Sequence, residues 1–130
     1  MSNDIIDVSM ISNNTKKIKA AITAIGGYVP DDFISNKDLE KMVDTNDEWI
    51  TARTGIRKRR ILKEKGKATS YLAINAANDL IKKKKLDPKT IDLVILSTIT
   101  PDFHGASTAP TVASKINASN AYAFDINAAC

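Results

Sequence analysis

Apolar residues recur along this chain in two periods. Over Ile18 to Ile25, Ile18, Ala20, Ile22 and Ala24 alternate with Lys19, Ala21 and Thr23. That period of two predicts a strand, and Gly26-Gly27 and Pro30 end it. Ser35 or Asn36 is a suitable N-cap for a short helix over Lys37 to Val43, because its side-chain oxygen can accept an orphan backbone N–H. Asn46 or Asp47 can cap a second helix over Glu48 to Arg53, which Gly55 would stop. Arg57 to Leu62 is expected to be extended. Thr69 to Lys84 carries the clearest helical period: Leu72, Ala73, Ala76, Ala77, Leu80 and Ile81 form one apolar face. Its many alanines predict close packing against a sheet. Lys82 to Lys85 stand at its carboxyl end, where the helix dipole favours positive charge. Asp87-Pro88 breaks the chain, and Leu93 to Leu96 is a short continuous apolar run, typical of a strand buried on both faces. After a loop over Thr98 to Gly105, Ser107 can cap a helix running to about Ile116, with Pro110 tolerated in its first turn. Ala121 to Ile126 reads as a third strand.

The order is strand, inserted helical segment, helix, strand, helix, strand. That is a βαβαβ succession in the α/β class, and it implies right-handed crossovers and a parallel sheet. In such sheets ligands and catalytic groups gather beyond the carboxyl ends of the strands. Cys130 follows the third strand directly. Residues 1–17, rich in Ser, Asn and Asp, read as a flexible extension, and 18–130 as one α/β domain. The extension has no apolar core or small-residue cleavage site of a signal peptide, and Asp4 and Asp7 argue against a transit peptide.

Composition narrows the function. The chain has 130 residues, enough to bury a core, with 43% hydrophobic and 26% charged residues. No apolar stretch approaches the roughly 18 residues of a membrane span. The net charge of +4 arises largely from two runs, Arg57 to Arg60 and Lys82 to Lys85. Neither is interleaved with aromatics, and aromatics make up only 5% of the chain, so a single-strand nucleic-acid platform is not indicated. One cysteine excludes an internal disulfide and a cysteine-based zinc site, and one histidine, His104, excludes a histidine cluster.

Two constellations could carry chemistry. Asn127-Ala128-Ala129-Cys130 places small residues before a thiol, which permits a tight strand-to-helix turn of the nucleophile-elbow kind. A helix starting there would favour thiolate over thiol. The competing reading is a buried structural cysteine, which composition alone favours; the position after a strand weighs the other way. In the second constellation Thr45, Trp49 and Arg53 are spaced four apart and would share one helix face. An indole offers a stacking surface and a guanidinium a bidentate grip on phosphate, so the trio could hold a nucleotide-like group. The competing reading, preferred on these residues alone, makes Trp49 a core residue and Arg53 a surface ion-pair partner.

The stretch Asp38-Leu39-Glu40-Lys41-Met42-Val43-Asp44-Thr45, with Asp47-Glu48-Trp49-Ile50 and Arg53-Thr54-Gly55-Ile56-Arg57, closely resembles the amino-terminal signature of β-ketoacyl-acyl carrier protein synthase III. Phe124-Asp125-Ile126-Asn127-Ala128-Ala129-Cys130 resembles that family's active-site segment. The likeness spans nearly everything from Ile18 to Cys130, with the two motifs in register. It implies the thiolase-like fold, here its amino-terminal half, and a homodimer. It implies an initiating step of type II fatty-acid synthesis. Cysteine takes an acyl group from acyl-coenzyme A, and malonyl-acyl carrier protein then condenses with it, losing carbon dioxide. Cys130 matches the nucleophile. Trp49 matches the residue that stacks on the coenzyme A adenine, and Thr45 and Arg53 match residues that contact the nucleotide end. Arg57 lies in the same motif without an assigned role. The family's His and Asn, which stabilise the enolate oxygen, have no match in this chain, and His104 is expected to be a loop histidine. The resemblance implies no cofactor or metal, no nucleic acid or membrane partner, and a cytoplasmic location, with an organelle as the alternative should the first residues prove a targeting segment.

One departure stands out. Many family members carry Phe-Pro in the loop that reaches the partner's acyl pocket, where this chain has Gly105-Ala106. A wider pocket, and a primer other than acetyl, is the expectation. Three rivals stay open on the residues alone. One is another thiolase-like enzyme such as a hydroxymethylglutaryl-coenzyme A synthase or a quinolone-forming relative. The second is a basic nucleic-acid module, and the third a non-catalytic truncated remnant. The chain is expected to be the front part of a larger enzyme that ends at its nucleophile and cannot condense substrates alone.

Overall fold

The structure is a computed structural model that describes residues 20–127. Cys130, the extension over residues 1–17 and the first two residues of the predicted first strand lie outside those residues. The order observed is β1 (Phe33–Ser35), α1 (Asn36–Leu39), α2 (Asp47–Thr54), β2 (Lys58–Arg60), α3 (Thr69–Lys84), a single 3-10 turn (Pro88–Thr90), β3 (Leu93–Ser97), α4 (Ala109–Lys115) and β4 (Tyr122–Ile126).

β3, α4 and β4 form the parallel crossover that the apolar runs predict, in the register Leu93↔Tyr122 through Ser97↔Ile126. α3 and α4 cover one face of this pair. Val112, Ala113, Ile116 and Ala118 form the buried centre, with Ala73, Ala77 and Ile81 of α3 and Val94, Leu96 and Ala123 of the strands packed on it. Small side chains let the helices approach the strands closely, and the burial of this apolar surface stabilises the unit. The other strand face is open, which corrects the expectation of burial on both sides. Leu93, Ile95, Tyr122, Phe124 and Ile126 are exposed there, because strand side chains alternate and no described element packs on that side.

α3 matches its predicted bounds and ends at Lys85 in the left-handed conformation (φ 52°). α2 is capped by Asn46 and stopped by Gly55 (φ 70°), as its sequence predicts. α1 is shorter than expected. Ser35 and Asp38 form a reciprocal capping box, but the helix ends at Leu39 and turns follow. α4 begins at Ala109, not beside Ser107, and no side chain of its N-cap residue, Thr108, satisfies its first turn.

The first predicted strand is the main correction. Residues 20–25 join no sheet among the described residues, and Ile22 and Ile25 are 86% and 78% exposed. Alternation makes a segment competent to be a strand, but a ladder needs a neighbouring edge to pair with. The chain is anchored just beyond instead. Gly26 lies directly on the α3 backbone at Ala76 and Leu80. The Gly27 N–H donates to Asp79 (3.0 Å), and Tyr28 meets Tyr71 edge to face at 5.7 Å. β2 falls within the stretch expected to be extended, but its antiparallel partner β1 is not predicted; the pair frames the inserted segment in the register Phe33↔Arg60 to Ser35↔Lys58.

Candidate functional site

α2 is built to show one side and hold by the other. The Asn46 side chain accepts the Trp49 N–H at 2.7 Å, and the Gly55 N–H closes the far end on the Thr51 carbonyl at 2.9 Å. Ile50 is buried. At about 3.6 residues per turn, Trp49 and Arg53 lie on the side away from Asp47 and Thr51. Trp49 is 53% exposed, which excludes the core reading of this indole. The Arg53 guanidinium stands 4.9 Å from the centroid of its ring, a cation–π pair. Asp44, Thr45, Asn46 and Trp49 line a cavity of about 240 Å³. Thr45, Trp49 and Arg53 are therefore neighbours, but not along one helix: Thr45 precedes the N-cap and reaches the cavity from the turn. A flat ring with a cation on one face, beside a polar hollow, can take a purine on the ring and an anionic group at the guanidinium.

The second region lies at the carboxyl ends of β3 and β4, where the sequence continues to Cys130. Asp125 is a charge on the helix-facing side of β4. Its two carboxylate oxygens accept the Thr108 and Ala109 N–H groups, each at 2.7 Å. This supplies the α4 cap that its own side chains omit. The Thr108 hydroxyl accepts the Asp102 N–H (2.9 Å), and the Asp102 carboxylate accepts the Ser70 N–H in the first turn of α3 (2.9 Å). The Thr69 hydroxyl donates to the Thr100 carbonyl (2.5 Å). The amino ends of α3 and α4 are thus tied to the strand ends, and both helix dipoles direct positive potential there. His104 is exposed in the loop between β3 and α4, as expected. Asp125 has no role of its own in the motif, and Asn36, a candidate N-cap by its position, leaves that place to Ser35 and bonds Asp47 and Thr51 of α2 instead. A lone carboxylate inside the apolar stretch Ala123-Phe124-Asp125-Ile126 is the signal that could have found the role of Asp125.

A larger hollow, about 590 Å³, lies against α4 and the start of β4, lined by Lys89, Pro110, Asn117 and Tyr122 among others. It contains none of the candidate residues. Among the described residues no His, Cys, Asp and Glu group could hold a metal ion, and no helix is long and apolar enough to cross a membrane.

A parallel crossover with helices on one side, and an inserted segment carrying a cation-backed indole, define the first portion of a thiolase-like condensing-enzyme fold. Solved structures agree. The synthase III of Aquifex aeolicus VF5 superposes with a TM-score of 0.73 at 48% identity, over 81% of this chain and 34% of that one. The priming β-ketosynthase of the R1128 polyketide pathway gives 0.74 at 35% identity, over 81% and 31%. No family model matches the chain. Among curated proteins, the β-ketoacyl-acyl carrier protein synthase III of Porphyromonas gingivalis strain W83 is 57% identical over 114 residues, 88% of this chain and 34% of that protein. The chain is a relative of β-ketoacyl-acyl carrier protein synthase III, and spans about a third of the length of the curated relatives it matches.

Proposed function

We propose that the protein carrying this chain is the initiating condensing enzyme of type II fatty-acid synthesis. The observation that carries the reading is the exposed Trp49 with Arg53 stacked on it beside the Thr45 hollow, in a chain 57% identical over 114 residues to a protein named β-ketoacyl-acyl carrier protein synthase III. Trp49 would take the adenine of acyl-coenzyme A, and Thr45 and Arg53 the nucleotide end. The Cys130 thiolate would attack the thioester carbonyl. The C–S bond to coenzyme A breaks, the coenzyme A thiolate leaves, and the acyl group rests on Cys130. Malonyl-acyl carrier protein then loses carbon dioxide, and the carbanion attacks the acyl-cysteine, releasing the β-ketoacyl product and the thiolate. No proton need be abstracted; the enolate oxygen needs hydrogen-bond donors. No cofactor enters the scheme, since coenzyme A arrives as substrate. The homodimer and the cytoplasm are the expected setting.

The test is mass spectrometry of the full-length polypeptide. Incubation with acetyl- or butyryl-coenzyme A should add one acyl group to the peptide containing Cys130, and malonyl-acyl carrier protein should discharge it. Cys130→Ser should stay unmodified. An enzyme that condenses substrates while the Cys130 peptide never carries an acyl group would overturn the assignment.

A further inference from the structure

Asn36 is the largest fully buried side chain among the described residues, 1% exposed, and it is polar. A buried amide is tolerated only when its hydrogen bonds are made, and these are. Nδ2 donates to Asp47 Oδ1 at 2.7 Å and to the Ile56 carbonyl at 2.8 Å, with Thr51 Oγ1 a more distant partner at 3.3 Å. Oδ1 accepts from Arg59 Nη1. The Asn36 N–H also donates to the Arg57 carbonyl at 3.2 Å, extending the β1–β2 pairing. One side chain therefore joins the start of α1, the first turn of α2, the exit of α2 and β2.

The partners on α2 matter. Asp47 and Thr51 are one turn apart on the side opposite Trp49 and Arg53, and the Thr51 hydroxyl itself lies 3.3 Å from Asp47 Oδ1. Binding both to one fixed amide sets the rotation of α2 about its axis, which decides where Trp49 and Arg53 point. An eight-residue helix has little stability of its own, so tertiary contacts must set its orientation. Ile50 supplies apolar anchorage, and the hydrogen bonds add a directional constraint to it.

We propose that Asn36 is the positioning residue for the coenzyme A-binding face of α2, acting through Asp47 and Thr51 without touching substrate. The inference rests on the coenzyme A reading above. It places the effect in binding and not in the acyl-transfer chemistry at Cys130.

In the full-length polypeptide, Asn36→Leu should raise the Kd for coenzyme A, measured by calorimetry, and the KM for acyl-coenzyme A by about tenfold. The kcat at saturation and the KM for malonyl-acyl carrier protein should move less than about twofold. Asp47→Ala leaves Asn36 in place and removes the nearer of its two α2 partners. It should weaken coenzyme A in the same direction, and Asp47→Asn, which keeps an acceptor oxygen, should restore most of the affinity. If Asn36→Leu does not fold, the Asp47 pair decides. Folded variants with unchanged coenzyme A affinity, or kcat falling in step with affinity, would overturn the inference alone. A wild-type protein that does not bind coenzyme A would overturn the functional reading and this inference with it.

Discussion

Asp125 on β4 grips the start of α4 with both carboxylate oxygens, accepting the N–H groups of Thr108 and Ala109 at 2.7 Å each. A strand thereby caps the helix that precedes it in sequence. The contact fixes the strand end from which the chain runs to Cys130. Charge-assisted bonds of this kind are roughly twice as strong as neutral ones, and losing the acceptor leaves buried donors unpaired. Asp125→Ala should therefore lower the unfolding free energy by about 2–4 kcal/mol, and Asp125→Asn by less. Denaturant titration measures both, with faster amide exchange at Ala109 as the local sign. A loss under about 0.5 kcal/mol for the alanine variant would remove the cap from the account.

Gly26 and Gly27 are adjacent but face different surroundings. A Cβ on Gly26 would lie 2.5 Å from the Leu80 nitrogen and 2.7 Å from the Ala76 carbonyl, both backbone atoms of α3. A Cβ on Gly27 would meet nothing within 4 Å. Gly26→Ala should cost about 1–3 kcal/mol by forcing the segment off α3. Gly27→Ala should stay within about 0.5 kcal/mol of the parent. Thermal unfolding of the two variants side by side checks the contrast.

Asp38 and Asp79 titrate below the ordinary carboxylate range. The Ser35 hydroxyl and then the Ser35 N–H hold Asp38 down. For Asp79 the Lys83 ammonium leads and the Gly27 N–H follows. A depressed folded pKa means that the unfolded chain binds protons first as pH falls. The stabilisation is complete above the unfolded value of about 4 and drains away as pH drops through the lower folded value. The melting temperature of the parent should therefore fall on acidification below about pH 4. That of Asp38→Asn should be lower at neutral pH and should fall less in acid. Parallel curves at every pH would contradict the Ser35–Asp38 cause.

Trp49 is half exposed and backed by Arg53. Stacking of a base on an aromatic ring is worth about 1–3 kcal/mol, or roughly 5- to 150-fold in affinity. Trp49→Ala in the full-length protein should weaken coenzyme A by that factor while Trp49→Phe retains part of it. Equal coenzyme A affinity in parent and alanine variant would return Trp49 to a surface residue.

Gly105, with φ 86°, and Ala106 are exposed in the loop before α4. The resemblance places this loop at the acyl pocket of the full-length enzyme; with no large side chain at either position, we propose that the pocket accepts chains longer than acetyl. Comparing turnover of acetyl-, butyryl- and octanoyl-coenzyme A tests this, and strict acetyl preference rejects it.

Much of the local structure was legible because its causes are local. The period of α3, the Asn46 cap, the Gly55 stop and the apolar run of β3 each rest on residues within one or two turns of one another. The Trp49 and Arg53 stack follows from their spacing, four residues apart on one helix. Thr45 joined them by a route that spacing did not show, through a turn before the helix.

What the residues determined unaided was the presence of α2, α3, β3 and β4, and which side chains are candidates for a nucleotide-like ligand. Only the tertiary structure decided the remainder. Whether residues 20–25 form a ladder depends on a neighbouring edge, not on their alternation. That Asp125 caps α4, and that Asn36 holds α2 through Asp47 while Arg59 holds Asn36, depends on bonds between residues 11 to 23 positions apart. Hydrogen bonds of that span have no period or spacing to betray them, because folding alone brings their partners within reach.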